Sequence, residues 1–215
     1  VTITEVEGFV GNFRTTISTQ EGEKELEHGV AILACGAGEL RPEGYLYGKN
    51  PRVMTSLELD ERLTREDPEL RHVQRVVFLQ CVGSRIPERP YCSKVCCTHS
   101  VQSAIALKEE NPERQIYILY RDMRTYAERE AIYRRARRLG IIFINYELHG
   151  KPKISESGSV INVEVWDHVL HRPLEIEVDM VVLATAIVAN PDADKLGKLY
   201  KVSVDGDGFY QEAHA

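Results

Sequence analysis

The sequence predicts an α/β protein in which a Rossmann-like βαβαβ unit and an antiparallel meander are inserted between two parts of a host domain. Three observations predict it. From Val73 to Ile144, short apolar runs of strand length alternate with longer stretches of helical period, the order that builds a parallel sheet with right-handed crossovers. From Lys153 to Val178, apolar and polar residues alternate, with turns at Ser157-Gly158 and His171-Arg172-Pro173, as in a meander. Two similar segments of small residues, Ala34-Cys35-Gly36-Ala37 and Ala184-Thr185-Ala186, end apolar runs on either side of this block. The expected boundaries are therefore 1–72 and 179–215 for the host and 73–178 for the insert.

Each element has a local reason. Val1 to Gln20 alternate around Gly11-Asn12 and predict two antiparallel strands joined by a turn. Val30 to Gly36 form a nearly continuous apolar run, which predicts a strand buried on both faces. Arg41 to Asn50 show no period and read as loop. Pro51 to Leu63 predict a short helix with Thr55 or Ser56 as its N-cap, and Thr64 to Glu69 a charged linker. Within the insert, Val76 to Leu79 is the first strand, and Val101, Ala104, Ile105 and Leu107 give the first helix an apolar stripe. Ile116 to Tyr120 is the second strand. Tyr126 to Leu139 predict a helix that turns Ile132, Tyr133, Ala136 and Leu139 inward and stops at Gly140. Ile141 to Ile144 is the third strand, Trp166 is expected on the apolar face of the meander, and Asp179 to Ala186 form a further buried strand.

Chemistry concentrates between the first strand and the first helix of the insert. Four of the five cysteines, Cys81, Cys92, Cys96 and Cys97, lie within seventeen residues at the spacing Cys-x10-Cys-x3-Cys-Cys, in a loop broken by Gly83, Pro87 and Pro90. Four thiolates in one loop suit a tetrahedral, soft-ligand centre, either iron–sulfur or zinc. Only Cys92 and Cys96 approach the short hairpin spacing of a zinc site, and adjacent Cys96 and Cys97 suit a centre wider than one ion. Reduced buried cysteines, or a disulfide joining Cys92 to Cys96 or Cys81 to Cys97, are the alternatives at this point. The loop is too polar for an ordinary core, since it carries Arg85, Glu88, Arg89 and Lys94. A dinucleotide site would need Gly-x-Gly-x-x-Gly after the first strand; Gly83 is the only glycine there, so no NAD(P) binding is expected.

These residues carry a resemblance. Phe78-Leu-Gln-Cys-Val-Gly-Ser-Arg85, Tyr91-Cys-Ser-Lys-Val-Cys-Cys97, Ala104-Ile-Ala-Leu-Lys108 and Tyr117-Ile-Leu-Tyr-Arg-Asp-Met-Arg124 are similar to the A-type subunits of the CoB–CoM heterodisulfide reductase family, iron–sulfur flavoproteins with a thioredoxin-reductase-like fold. The resemblance implies that Cys81, Cys92, Cys96 and Cys97 ligate a [4Fe–4S] cluster. It also implies that the host is part of an FAD-binding domain, and that the partners are other subunits of an electron-transfer complex. Ala34-Cys35-Gly36-Ala37 resembles the Ala-Thr-Gly segment of two-dinucleotide flavoproteins. Its small residues, with Ala184-Thr185-Ala186, are expected to let backbone approach the flavin. Cys35 itself reads as a small residue at a strand end rather than a metal ligand.

Composition bounds the rest. The 215 residues carry a net charge of −6, which argues against a nucleic-acid partner. No apolar run is long enough to span a membrane. Five cysteines without a secretory leader fit a reducing cytoplasm. A start at Val1 in mid-strand, and an end just after another strand, lead to the expectation of a fragment. Two further sets of residues are weighed. Arg134, Arg135, Arg137 and Arg138 read first as the wet face of a helix, and second as a dock for an acidic partner or flavin phosphate. His99 is either a donor to a cluster sulfide or a solvent-facing residue. Two other functions fit the loop: a zinc-stapled docking domain using Cys92, Cys96 and His99, or a dithiol reductase in which Lys94 activates Cys92 or Cys96.

Overall fold

The computed structural model describes residues 1–212, which form two compact units: Glu39–Ile187, and Val1–Gly38 together with the described residues from Val188 onward. The first is continuous in sequence and interrupts the second.

In the interrupted unit, β1 (Thr2–Phe9), β2 (Asn12–Thr19) and β3 (Gly22–His28) form an antiparallel sheet. The hairpin at Gly11-Asn12 is as expected, but the third strand is not the apolar run. Gly22 to His28 pair with β2 from Thr19 back to Phe13 although they are mostly charged. Val30 to Gly36 form no strand, and Val30 and Ile32 are 70% and 87% exposed. An apolar run becomes a doubly buried strand only where neighbouring strands supply backbone partners, and none among the described residues does so.

The continuous unit begins in β4 (Ala37–Glu39) and contains β5 (Val53–Thr55), α1 (Ser56–Thr64), β6 (Arg75–Val82), α2 (Cys96–Glu110), β7 (Gln115–Tyr120), α3 (Glu130–Arg138) and β8 (Ile142–Asn145). The meander β9 (Lys153–Ser157), β10 (Val160–Asp167) and β11 (Arg172–Val178) follows, then β12 (Met180–Thr185) and β13 (Ile187–Ala189), which pairs with β4. α4 (Ala193–Tyr200) belongs to the interrupted unit.

The central sheet is parallel, five-stranded and ordered β5-β12-β6-β7-β8. The units meet at 38/39 and 187/188, where the sequence led to the expectation of 72/73 and 178/179. β12 lies between β5 and β6, so the segments 39–72 and 179–187 cannot be separated from the βαβαβ unit without tearing its sheet. Sequence order hides this because β12 lies about a hundred residues from the strands it joins, and β5 is only three residues long. The expected helix from Pro51 accordingly starts at Ser56. Thr55 caps it: its side chain accepts from the Glu58 N–H, and the Glu58 carboxylate accepts from the Thr55 N–H.

Alternation along β6 sorts the core. Val76 and Phe78 pack with Leu59 of α1, Val101 and Ala104 of α2 and Ala136 of α3. Val77 and Leu79 pack with Ile161, Val163 and Val165 of the meander. The unit is thus three layers: helices, parallel sheet, antiparallel sheet. Trp166 follows Val165 in β10 and therefore faces away, 44% exposed, contrary to the expectation that it packs on the apolar face. The expected linker is also structured, since Arg62 bridges Asp67 and Glu69 and Asp67 caps the turn Pro68–His72. α3 keeps the predicted face but begins at Glu130 rather than Tyr126, after a 3-10 turn over Ala127–Arg129: Ala136 is buried, Ile132 and Leu139 pack partly against the core, and Gly140 ends it at φ 82.

Candidate metal centre

Cys81 is aimed by a defect in β6. The register with β12 runs in step from Val76↔Met180 to Leu79↔Leu183, then resumes at Val82↔Thr185. Gln80 and Cys81 therefore stand opposite the single residue Ala184, a bulge in a parallel pair. Cys81 takes up the extra residue with φ 60, a left-handed backbone that an L-residue adopts at a cost. Gly83 (φ 74), Arg85 (φ 57) and Lys94 (φ 63) continue in that region. Gly83 suits that region without strain, and a Cβ there would also push the Leu40 side chain aside, since it would meet Cδ2 at 2.2 Å.

The loop between β6 and α2 is tied at several points. Arg85 N–H donates to the Tyr91 carbonyl (3.1 Å), Arg89 Nη1 to the Gly83 carbonyl (3.1 Å), and Arg121 Nη1 to the Arg85 carbonyl (2.6 Å). Beyond β12, the Tyr91 hydroxyl donates to the Ile187 carbonyl (2.8 Å), while Ser93 Oγ accepts from the Ile187 N–H (3.0 Å). These ties return the chain so that Cys96 and Cys97 open α2, whose N-terminus has no side-chain cap.

All five cysteines are free thiols. Cys81, Cys96 and Cys97 are buried and Cys92 is half-buried. The loop thiols are electrostatically coupled. Burial pushes the Cys81 thiol up, the Arg85 guanidinium partly offsets this, and Cys97 and Cys92 add to the rise. Cys96 donates a hydrogen bond to Cys97, which raises Cys96 and, against burial and with help from Arg124 and Arg85, lowers Cys97 to about 6. The charges of Cys81 and Cys92 raise Cys96 further. Cys81 and Cys96 are thus held protonated beside a lowered Cys97, a donor set whose ionisation a cationic centre would favour. Arg85 reaches Cys81 Sγ at 4.0 Å and is itself paired with Asp122. Lys94 contributes its backbone N–H to Cys92 Sγ (3.3 Å), and the Cys97 thiol donates to the Asp122 carbonyl (3.7 Å). Among the described residues, no group of three or more His, Cys, Asp or Glu side chains forms a cage around a single metal ion. The soft, four-sulfur donor set fits a wider centre on chemical grounds.

The remaining expectations resolve individually. His99 Nε2 lies 2.7 Å from Asp60 Oδ2 of α1, so that nitrogen is engaged away from the sulfurs. Arg134, Arg135, Arg137 and Arg138 are all exposed, with Arg135 paired to Glu109 and Arg137 stacked 5.8 Å over Tyr133, as a wet helix face requires. Ala184, Thr185 and Ala186 are buried at the end of β12, with the Ala186 N–H donating to the Val82 carbonyl (2.8 Å). Ala34, Cys35, Gly36 and Ala37 lie in the other unit, where Cys35 accepts at its carbonyl from Asn190 Nδ2 (2.7 Å) and its thiol faces Tyr210. A groove of about 660 Å³ is lined by Arg75, Gln115, Ile142, Leu174 and Glu175, with no cysteine in its lining. A second, about 460 Å³, borders the cysteine loop at Val82, Gly83, Ile86 and Arg89, opposite Leu40 and Tyr45. Sequence reasoning did not single out Gln80, Tyr146, Asp122 or Arg124. Gln80 left a legible signal, as the one polar residue in the run Val76 to Val82 apart from Cys81.

A parallel sheet carrying its chemistry at the carboxyl ends of its strands, inserted in a second unit, is the α/β architecture of the thioredoxin-reductase-like flavoproteins. The solved thioredoxin reductase of Lactococcus lactis superposes on 99% of this chain and 60% of its own, with a TM-score of 0.54 at 18% identity, a likeness of fold. No family model matches the chain. Curated relatives are more specific. The A-type iron–sulfur subunit of CoB–CoM heterodisulfide reductase from Methanocaldococcus jannaschii is 36% identical over 211 residues, 89% of this chain and 32% of that protein. The A-type subunit of the H2/formate:CoB-CoM heterodisulfide,ferredoxin reductase of Methanococcus maripaludis is 33% identical over 211 residues, with the same shares. Over these residues the chain belongs to the family of A-type CoB–CoM heterodisulfide reductase subunits, whose members are parts of oxidoreductases. It spans about a third of the length of the curated relatives it matches.

Proposed function

We propose that the chain is an electron-transfer segment in which Cys81, Cys92, Cys96 and Cys97 hold a [4Fe–4S] cluster next to the FAD of a longer flavoprotein. The observation that carries the proposal is the left-handed bulge at Cys81 at the carboxyl end of β6, where Cys81 is electrostatically coupled to Cys92 in the loop and to Cys97 at the start of α2. When bound, such a centre supplies one-electron transfer beside a two-electron flavin. The chain's own residues do the rest. The four thiolates are the ligands. The Arg85 and Arg124 guanidiniums offset their negative charge, and the backbone N–H of Lys94 steadies Cys92 Sγ. Burial of Cys81, Cys96 and Cys97 keeps water from the sulfurs.

The same proposal gives Ala34, Cys35, Gly36 and Ala37, with Ala184, Thr185 and Ala186, to the flavin's surroundings. It gives the partner role to other subunits of an electron-transfer complex and the location to the cytoplasm. The cysteine loop occupies the position where a dinucleotide fold binds phosphate, so this unit takes no NAD(P). Among the described residues no helix is long and apolar enough to cross a membrane.

Anaerobic reconstitution of the 215-residue chain with iron and sulfide, followed by counting of both and by visible absorption, tests the reading. Four irons and four sulfides per chain in a brown protein are expected. A folded sample holding no iron removes the proposal, and a colourless one holding a single zinc replaces it with the docking alternative.

A further inference from the structure

Six buried side-chain polar atoms of the described residues have no hydrogen-bond partner, and two belong to one residue: Gln80 Nε2 and Oε1. Gln80 is 0% exposed and immediately precedes Cys81. A buried amide with neither donor nor acceptor satisfied is destabilising, and native proteins retain such groups where a ligand or a function uses them. Strand parity fixes its side. Val76 and Phe78 face α1 and α2, and Gln80 precedes the extra residue of the bulge, so it keeps their parity. At the carboxyl end of β6 that face is the one followed by the first turn of α2, which carries Cys96 and Cys97. Two further unpartnered buried hydroxyls, Thr98 and Ser100, lie in that same stretch of α2.

The Gln80 backbone is held as firmly as its side chain is left open. A bulge breaks the ladder and frees a carbonyl. Here the Gln80 carbonyl accepts from the hydroxyl of Tyr146, a residue 5% exposed just beyond β8, at 2.6 Å. Tyr146 is in turn fixed by its N–H, which donates to the Tyr120 carbonyl at the end of β7 (2.9 Å). One peptide is thus clamped between a committed carbonyl and the left-handed Cys81.

We infer that the Gln80 side-chain amide is a hydrogen-bond donor to the sulfur centre held by the four cysteines, and that Tyr146 is the positioning residue that aims both Gln80 and Cys81. The inference rests on the proposed cluster. A neutral donor facing sulfur favours the more negative, reduced state and raises the reduction potential without adding charge.

The test compares the wild-type chain with Gln80→Leu, Gln80→Met and Tyr146→Phe after anaerobic reconstitution, by redox titration followed with electron paramagnetic resonance. The metal-free proteins are compared by thermal unfolding. Loss of the donor is expected to lower the equilibrium constant for reduction about tenfold, which is ~59 mV for a one-electron couple, with iron content unchanged. In metal-free protein Gln80→Leu should melt at or above the wild-type temperature, because it removes an unsatisfied amide. A purely structural glutamine would give the opposite shift. Tyr146→Phe should lower both the potential and the metal-free melting temperature, because it orphans the Gln80 carbonyl. Should Gln80→Leu not fold, the unbranched methionine variant gives the same readings, and failure of both makes the amide structural and overturns the inference. Wild-type protein that takes up iron but shares its potential with both Gln80 variants overturns the role of Gln80 and leaves the cluster standing. Wild-type protein that takes up no iron removes the cluster, and this inference with it.

Discussion

The two ends of β6 treat buried polar groups in opposite ways. At the amino end a buried charge is closed off. Arg114 is 0% exposed, yet its guanidinium donates to the carbonyls of Val73 (2.8 Å), Leu107 (2.6 Å) and Leu70 (2.8 Å) and to Glu110 (3.0 Å). Beside it the Asp179 carboxylate accepts from the backbone N–H groups of Gln74 (2.9 Å) and Arg75 (2.8 Å), which pins β12 to β6. At the carboxyl end Gln80, Thr98, Ser100 and Thr185 keep polar atoms unpartnered, three non-glycine residues sit at positive φ from Cys81 to Lys94, and the neighbouring thiols raise Cys96. The lesson is a division of labour along one strand: the closed end supplies stability, and the open end spends some of it on chemistry. In open α/β sheets ligands bind beyond the carboxyl ends of the strands, which is where this molecule is left unfinished.

Four substitutions break or sharpen that contrast. The largest effect is expected for Arg114→Met, which takes a charged donor from three backbone carbonyls and leaves Leu70 and Leu107 with only the long bonds from the Val73 and Asn111 N–H groups (3.3 Å each). Urea unfolding of metal-free protein should show a loss of about 3–5 kcal/mol. Asp179→Ala follows at about 1–2 kcal/mol by the same measurement, since two backbone N–H groups lose their acceptor. Cys97→Ala should cost metal-free protein only about 1 kcal/mol, as for the loss of one buried heavy atom, while iron uptake collapses. If its unfolding curve shifts as far as that of Arg114→Met, the two ends do not differ in kind. The smallest effect is at the cap of α1, where Thr55→Ala should cost about 0.5–1 kcal/mol.

The α1 cap also makes a pH prediction with a definite sign. Burial pushes the Glu58 carboxyl up, but the Thr55 N–H, the Tyr47 hydroxyl and the Arg41 guanidinium outweigh it and hold the group below the usual carboxylate range. A carboxyl lowered on folding stabilises fully above its unfolded pKa, and the contribution is lost as pH falls through the folded one. The stability gap between wild type and Glu58→Gln, read from urea midpoints, should therefore be open near neutral pH and close as the buffer is taken below about pH 4. A gap that stays constant would mean that Glu58 contributes only its shape.

Much of this was legible before any coordinates. Period separates β6, α2, β7, α3 and β8, because their faces are buried on one or both sides and the core imposes its spacing on the residues. The meander shows for the same reason, and the cysteines announce their own loop. Illegible were the elements whose identity depends on remote neighbours. β12 joins β5 and β6 across long stretches of chain, while Val30 to Gly36 has the composition of a buried strand and no strand to pair with among the described residues. β3 is charged and pairs all the same, because a tight turn and a waiting edge suffice.

The residues alone determined which segments alternate, which recur at helical spacing, and that four soft ligands crowd one strand-to-helix turn, since these are properties of neighbours along the chain. Tertiary structure decided that β12 separates β5 from β6, that one extra residue turns Cys81 through a left-handed backbone, and that Tyr146 holds the peptide before it. Those facts are set by hydrogen bonds between residues remote in the chain, such as Tyr146 with Gln80 and Val181 with Arg52, and no local pattern records which distant partner a hydroxyl or a backbone N–H will meet.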